Sequence, residues 1–279
     1  MPRRACCPGC VNCRSAQRAS RGASASHRLV QYQLLDGSPP YGLFYSREVT
    51  QPSPCPRLPK LLPVMRRLPI YLLIDTSGRM HGDRIGAINL GLKEFRSELR
   101  SDPRAIEGTV VSLITFDSRA RQVVPLTDVQ RFDPPVLKSS GSRAFGEALG
   151  LLETCVRLEA LAPSSDYLKP DKSPRVLVML VGEPSDNWQP SADRIKTMAG
   201  WEIVACATDL NVDESTLQRL TDSVVRLEEV SAPKVCNLFR FVHKVFHKID
   251  TLTADHEKSR FVWKNVPLPQ GVAPLHPKS

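Results

Sequence analysis

Two stretches of this chain, IYLLID at 70–75 and RVLVMLV at 175–181, are apolar at nearly every position. Successive side chains of a strand point to opposite faces, so a strand apolar throughout is covered on both. Such strands belong to parallel sheets sandwiched between helices, and the intervening segments agree. Residues 83–100 place Ile85, Ile88, Leu92, Phe95 and Leu99 at helical spacing. TVVSLITF (109–116) reads as a second strand, and ARQVVPL (120–126), reached through the turn DSR, as a third that pairs with it as an antiparallel hairpin. A helix near 145–160 carries Phe145, Leu149, Leu152 and Val156. After the strand at 175–181 come a helix at about 190–199, a strand EIVACAT (202–208), a helix after Asp213 and a short strand SVVRL (223–227). A last amphipathic helix runs through Val235, Leu238, Phe239, Val242, Val245, Phe246 and Ile249. The expected fold is α/β, a doubly wound, mostly parallel sheet with one antiparallel edge strand and right-handed crossovers.

The flanks read differently. Residues 1–64 hold nine prolines, nine Lys/Arg against the two acids Asp36 and Glu48, and RSAQRASRGASASHR, which has no hydrophobic period. Too little apolar surface is available there to offset the entropy of ordering, so disorder is expected. A transit peptide is a second reading, and a native start at Met65 a third. Nearly all of the formal charge of +9 sits in this leader, leaving the body close to neutral, and nucleic-acid binding by the body is not expected. A leader-driven role on nucleic acid or acidic membranes stays open. Cys7, Cys10 and Cys13 form a C-x2-C-x2-C run beside Cys6, but a fourth zinc ligand at convincing spacing is missing, His27 and Cys55 included. Cys155, Cys206 and Cys236 read as small core residues. Residues 251–279, ending VPLPQGVAPLHPKS, read as a tail. No apolar run approaches the ~18–20 residues that span a bilayer, and a cytoplasmic protein is expected.

In open α/β sheets, ligands bind beyond the carboxyl ends of the strands at the switch point of strand order. Asp75, Thr76, Ser77 and Arg79 of IDTSGRM stand at such an end. The bland alternative makes Asp75 and Ser77 simple caps for the next helix.

The segment from RRLPIYLLIDTSGRMHGDRIG to SLITFDSRARQVVPL, together with GEPSDNW after the strand at 175–181, resembles a von Willebrand factor A (vWA) domain. It is most similar to the TerY-like type associated with tellurium-resistance and stress-response clusters, over about residues 66–250. That resemblance implies a metal-ion-dependent adhesion site, in which Asp-x-Ser-x-Ser, a threonine from a second loop and an aspartate after a later strand bind Mg²⁺. The ion then takes a partner's carboxylate as its last ligand, and nothing is turned over.

This chain departs from that pattern at three of the five positions. Asp75 and Ser77 are present, but Arg79 replaces the second serine, Arg143 of SGSRAFGEAL the threonine, and Val181 of MLVGEP the later aspartate. Glu183 and Asp186 are weak candidates to rebuild the shell. A guanidinium is permanently charged, has only donors and cannot coordinate a cation. The site is therefore expected to be degenerate and to take no Mg²⁺ or other cofactor. Three readings of the arginines stay open. Both swing out to solvent, one of them pairs internally with Asp75, or together they grip the acidic or phosphorylated partner residue directly.

The resulting expectation is a non-enzymatic protein-interaction module acting in a stress-response or signalling complex, with kinase or phosphatase components as partners by resemblance. The alternative is a phosphatase-like hydrolase with Asp75 as nucleophile. Enzymes of that kind need a second aspartate two residues on, where this chain has Ser77.

Overall fold

The computed structural model describes residues 66–160, 172–198, 200–209, 212–252 and 267–274. Strand β1 (Leu68–Asp75) is buried at all eight positions. A 3-10 turn (Gly78–Met80) leads into α1 (Asp83–Ser101), and a short α2 (Pro103–Gly108) leads into β2 (Thr109–Phe116), again wholly buried. Then follow β3 (Ala120–Asp128), α3 (Phe145–Cys155) running on into a π turn (Val156–Ala160), and β4 (Arg175–Leu180). The rest comprises α4 (Gln189–Lys196), β5 (Glu202–Ala207), α5 (Glu214–Gln218), β6 (Val224–Leu227), α6 (Ala232–Leu252) and β7 (Val272–Pro274).

The seven strands lie in the order β3-β2-β1-β4-β5-β6-β7. β1 pairs parallel with both β2 and β4, and the parallel pairing continues through β5 to β6. β3 is antiparallel to β2, as the short DSR turn requires. The expected doubly wound sheet is present, with a correction at the other edge. β7, inside the segment read as a tail, adds a second antiparallel edge strand against β6. The leader with its Cys6–Cys13 cluster lies outside the described residues.

Period-two alternation sends β1 into two cores. Leu68, Ile70, Leu72 and Ile74 face α1 and α6 on one side, with Phe95 and Phe239 in contact at 5.4 Å between ring centroids. Tyr71 and Leu73 face α3 and α4 on the other, with Phe116, Phe145 and Trp188. Each such fully buried side chain contributes ~1.5–3 kcal/mol, so β1 is firmly anchored up to its carboxyl end. Gly91 lets α1 and α6 approach closely, for a Cβ there would stand 2.5 Å from a Val235 methyl. Helix α2 was not expected. Its start is fixed by Asp102, whose side chain accepts from the Arg104 amide at 3.0 Å, and by Pro103 at the first helical position. Cys155 and Cys206 are buried thiols, as expected, whereas Cys236 is only half-buried.

Candidate functional site

Strand order reverses between β1 and β4, and their carboxyl ends open the crevice where such folds bind ligands. Asp75 ends β1 and is 1% exposed. One carboxylate oxygen accepts the Ser77 amide at 2.8 Å and the other the Val181 amide, just past β4, at 3.0 Å. Asp75 thus fastens the two strands on either side of the switch point. Burial pushes its pKa up from 3.8 to about 6, against the opposing pull of the Val181 and Ser77 amides, the Ser77 side chain and the Arg143 charge. Ser77 is fully buried beside it, and its hydroxyl makes no well-aligned hydrogen bond among the described residues.

Three loops are laced together over this floor. The Ser140 amide donates to the Thr76 carbonyl at 2.9 Å and the Gly78 amide to the Gly141 carbonyl at 3.0 Å. Gly141 has φ of +71°, and a Cβ there would fall 2.2 Å from the Ser118 hydroxyl, so the loop of residues 138–144 passes tightly over the β2–β3 turn. The Ser185 hydroxyl receives the Arg143 amide at 3.0 Å and donates to the Arg143 carbonyl at 2.9 Å, tying that loop to residues 181–186.

The arginines occupy different places. Arg79 is exposed and lies across Gly182, where a Cβ would come 2.9 Å from one of its terminal nitrogens. Gly182 has φ of +68°, so both the backbone and the overlying guanidinium favour glycine. Among the described residues no hydrogen bond or ion pair engages the Arg79 guanidinium. Arg143 is half-buried, and its Nε donates to the Glu183 carbonyl at 2.5 Å. Its charge favours ionised Asp75 without a direct ion pair.

Glu183 and Asp186, the acids singled out as substitute metal ligands, are committed elsewhere. Glu183 accepts the Asp213 amide at 2.5 Å and the Thr216 hydroxyl at 2.9 Å, bracing the start of α5. Asp186 accepts the Gly146 and Glu147 amides at 3.0 and 3.1 Å, capping α3. Each of these carboxylates thus already accepts two hydrogen bonds from neighbouring segments. The sequence reading missed Asp117, at the end of β2. Its carboxylate accepts the Arg119 amide (3.0 Å), the Arg121 guanidinium (3.2 Å) and the Ser140 hydroxyl (3.3 Å). Partial burial disfavours its charge, yet these donors together hold its pKa below the usual carboxylate value. Its place at the end of a buried strand, like that of Asp75, was the available signal. Asp209, beyond β5, is held by Arg84 at 3.4 Å.

The sequence profile of the von Willebrand factor type A domain matches residues 70–241. The chain belongs to the vWA family. No curated protein matches it. Among solved structures, the PilB minor pilin of Streptococcus sanguinis (D319A mutant) is similar at a TM-score of 0.50 and 10% identity, over 70% of this chain and 65% of that one. Proximal thread matrix protein 1 from the mussel byssus is similar at a TM-score of 0.49 and 17% identity, over 64% of this chain and 48% of that one. The alignment thus spans about half the length of the mussel protein. A von Willebrand factor type A protein from Catenulispora acidiphila gives 0.48 and 13%, over 65% and 43%. The likeness to the pilin speaks to fold alone. In this vWA domain no helix among the described residues is long and apolar enough to cross a membrane.

Proposed function

We propose that this vWA domain is a non-enzymatic protein-recognition module of TerY-like type, in which guanidinium groups replace the metal of the adhesion site. The observation that carries this reading is Arg79, lying over Gly182 at the mouth of the crevice with its guanidinium engaged by no described residue. The donor set does not suit Mg²⁺. A hard cation of this kind wants near-octahedral oxygen ligands, whereas only Asp75 and Ser77 offer oxygens at the family's five positions, and Arg79, Arg143 and Val181 fill the rest. Of the two acids that might have compensated, Asp186 caps α3 and Glu183 accepts the Asp213 amide and the Thr216 hydroxyl.

Arg79 offers five donors in a planar fork suited to a carboxylate or phosphate. Arg143 has no described partner at its two terminal nitrogens, while its Nε donates to the Glu183 carbonyl. The partner is therefore a protein presenting an acidic or phosphorylated residue, and a cytoplasmic stress-response or signalling complex with kinase or phosphatase components is the proposed setting. A hydrolase built on Asp75 is disfavoured, because that carboxylate is 1% exposed and already accepts two main-chain amides. The test is calorimetric titration of the full chain with Mg²⁺. No binding is expected, and binding abolished by Asp75→Ala would sink the proposal.

A further inference from the structure

At the opposite end of the sheet, α1 and α6 lie side by side and bring together three residues that the vWA site does not use. His243 and His247 are four residues apart on α6, so their imidazoles share one face. The rings meet edge-on at 4.8 Å between centroids. Asp102 reaches them from the corner between α1 and α2. One of its oxygens caps α2 through the Arg104 amide at 3.0 Å, which fixes the carboxylate, and the other lies 3.4 Å from His243 Nε2.

We propose that Asp102, His243 and His247 form a binding site for a divalent transition metal, with zinc as the fitting ion, clamping α6 to the α1–α2 corner. Their ligand atoms all lie within 4.8 Å of one another. Around tetrahedral zinc, with Zn–N and Zn–O bonds of ~2.0–2.2 Å, neighbouring ligand atoms stand roughly 3.3–3.5 Å apart. The Asp102–His243 separation already has that value. It is long for a hydrogen bond between these groups, and His243 Nε2 is buried with no well-aligned partner among the described residues. An ion between them supplies the missing partner. Two imidazoles and one carboxylate are the nitrogen and oxygen donors zinc prefers, and they leave a fourth position for water.

The surroundings suit a cation. The carboxylate of Glu98, one turn before Asp102 at the end of α1, acts on His243 along with Asp102, with the Lys244 charge opposing them. Asp102 and His247 are only half-buried, so an ion has a way in.

The probe is Zn²⁺ itself, titrated into the metal-free full chain. Cys6, Cys7, Cys10 and Cys13 are changed to serine in a parallel chain, so that leader thiolates cannot account for uptake. In that chain one equivalent is expected to bind, raising the melting temperature by roughly 5–10 °C at a hundredfold excess over Kd. His247→Gln in the same background is expected to weaken binding at least tenfold. Should that variant fold poorly, Co²⁺ bound to the parent decides the matter, because nitrogen and oxygen ligation gives visible d–d bands without thiolate charge transfer. No uptake by the serine-substituted chain, equal affinity in His247→Gln, or a thiolate spectrum overturns the site.

Discussion

Raising the pH from about 4 to 7 is expected to cost the folded protein stability at Asp75, opposite to the behaviour of a salt-bridged carboxylate. The carboxyl titrates at about 6 in the fold and near 3.8 when unfolded. A folded-state pKa above the unfolded one means that the contribution is fully present below 3.8 and is lost as pH rises through about 6. The gap of roughly two units corresponds to ~3 kcal/mol. Other groups blur this in the whole chain, since Asp117, with its pKa lowered, contributes stability that is lost as pH falls. The Asp75 share is isolated by comparison with Asp75→Asn, which cannot ionise. Its amide faces two main-chain donors with one carbonyl, at a cost of ~1–3 kcal/mol that changes little with pH. Urea denaturation of both chains across this range is the assay. The stability advantage of the parent over Asp75→Asn should shrink by ~2–2.5 kcal/mol as pH rises from about 4 to 7. A difference that stays flat, or grows with pH, refutes the burial argument.

Four further outcomes follow from the same contacts. Arg143→Ala removes a charge that favours ionised Asp75, so the midpoint of that pH-dependent difference should move to higher pH, read from the same denaturation series. Gly91→Ala gains helix propensity but drives a Cβ to 2.5 Å from Val235 and 2.8 Å from Phe239. A net loss of ~1–2 kcal/mol is expected in thermal unfolding. Gly182→Ala should cost ~1–2 kcal/mol from its positive φ alone, and more while Arg79 overlies it, so adding Arg79→Ala should recover part of the loss. Asp186→Ala should cost ~0.5–2 kcal/mol by uncapping α3, with no change in the response to Mg²⁺.

How much of this was legible in the sequence differs from element to element. β1 and β4 announce themselves because apolarity at every position has one physical meaning, burial on both faces. Helices α1 and α6 follow from their periodic stripes. β7 carries no such signal, since VAP is three residues in a proline-rich stretch and becomes a strand only because β6 offers it an open edge. α2 could have been read from Asp102-Pro103, a capping residue followed by the favoured first helical residue. At the site, sequence placed Asp75, Ser77, Arg79 and Arg143 around one crevice, but the roles of Glu183 and Asp186 were beyond it. An acid that caps a helix start looks, in a sequence, like an acid that binds a metal, because the amides it satisfies belong to segments distant along the chain. The two histidines on α6 drew no notice in the sequence, because Asp102 joins them only through the packing of α1 against α6.

The central claim is that recognition here runs through guanidinium groups rather than a bound ion. The measurement that tests it most directly is binding of the full chain to an array of acidic and phosphoserine-containing peptides in EDTA, beside the Arg79→Ser/Arg143→Thr double variant. The account predicts selective binding that persists in EDTA, is lost in the double variant, and weakens as salt rises. Binding that requires Mg²⁺, or that survives the loss of both arginines, contradicts it.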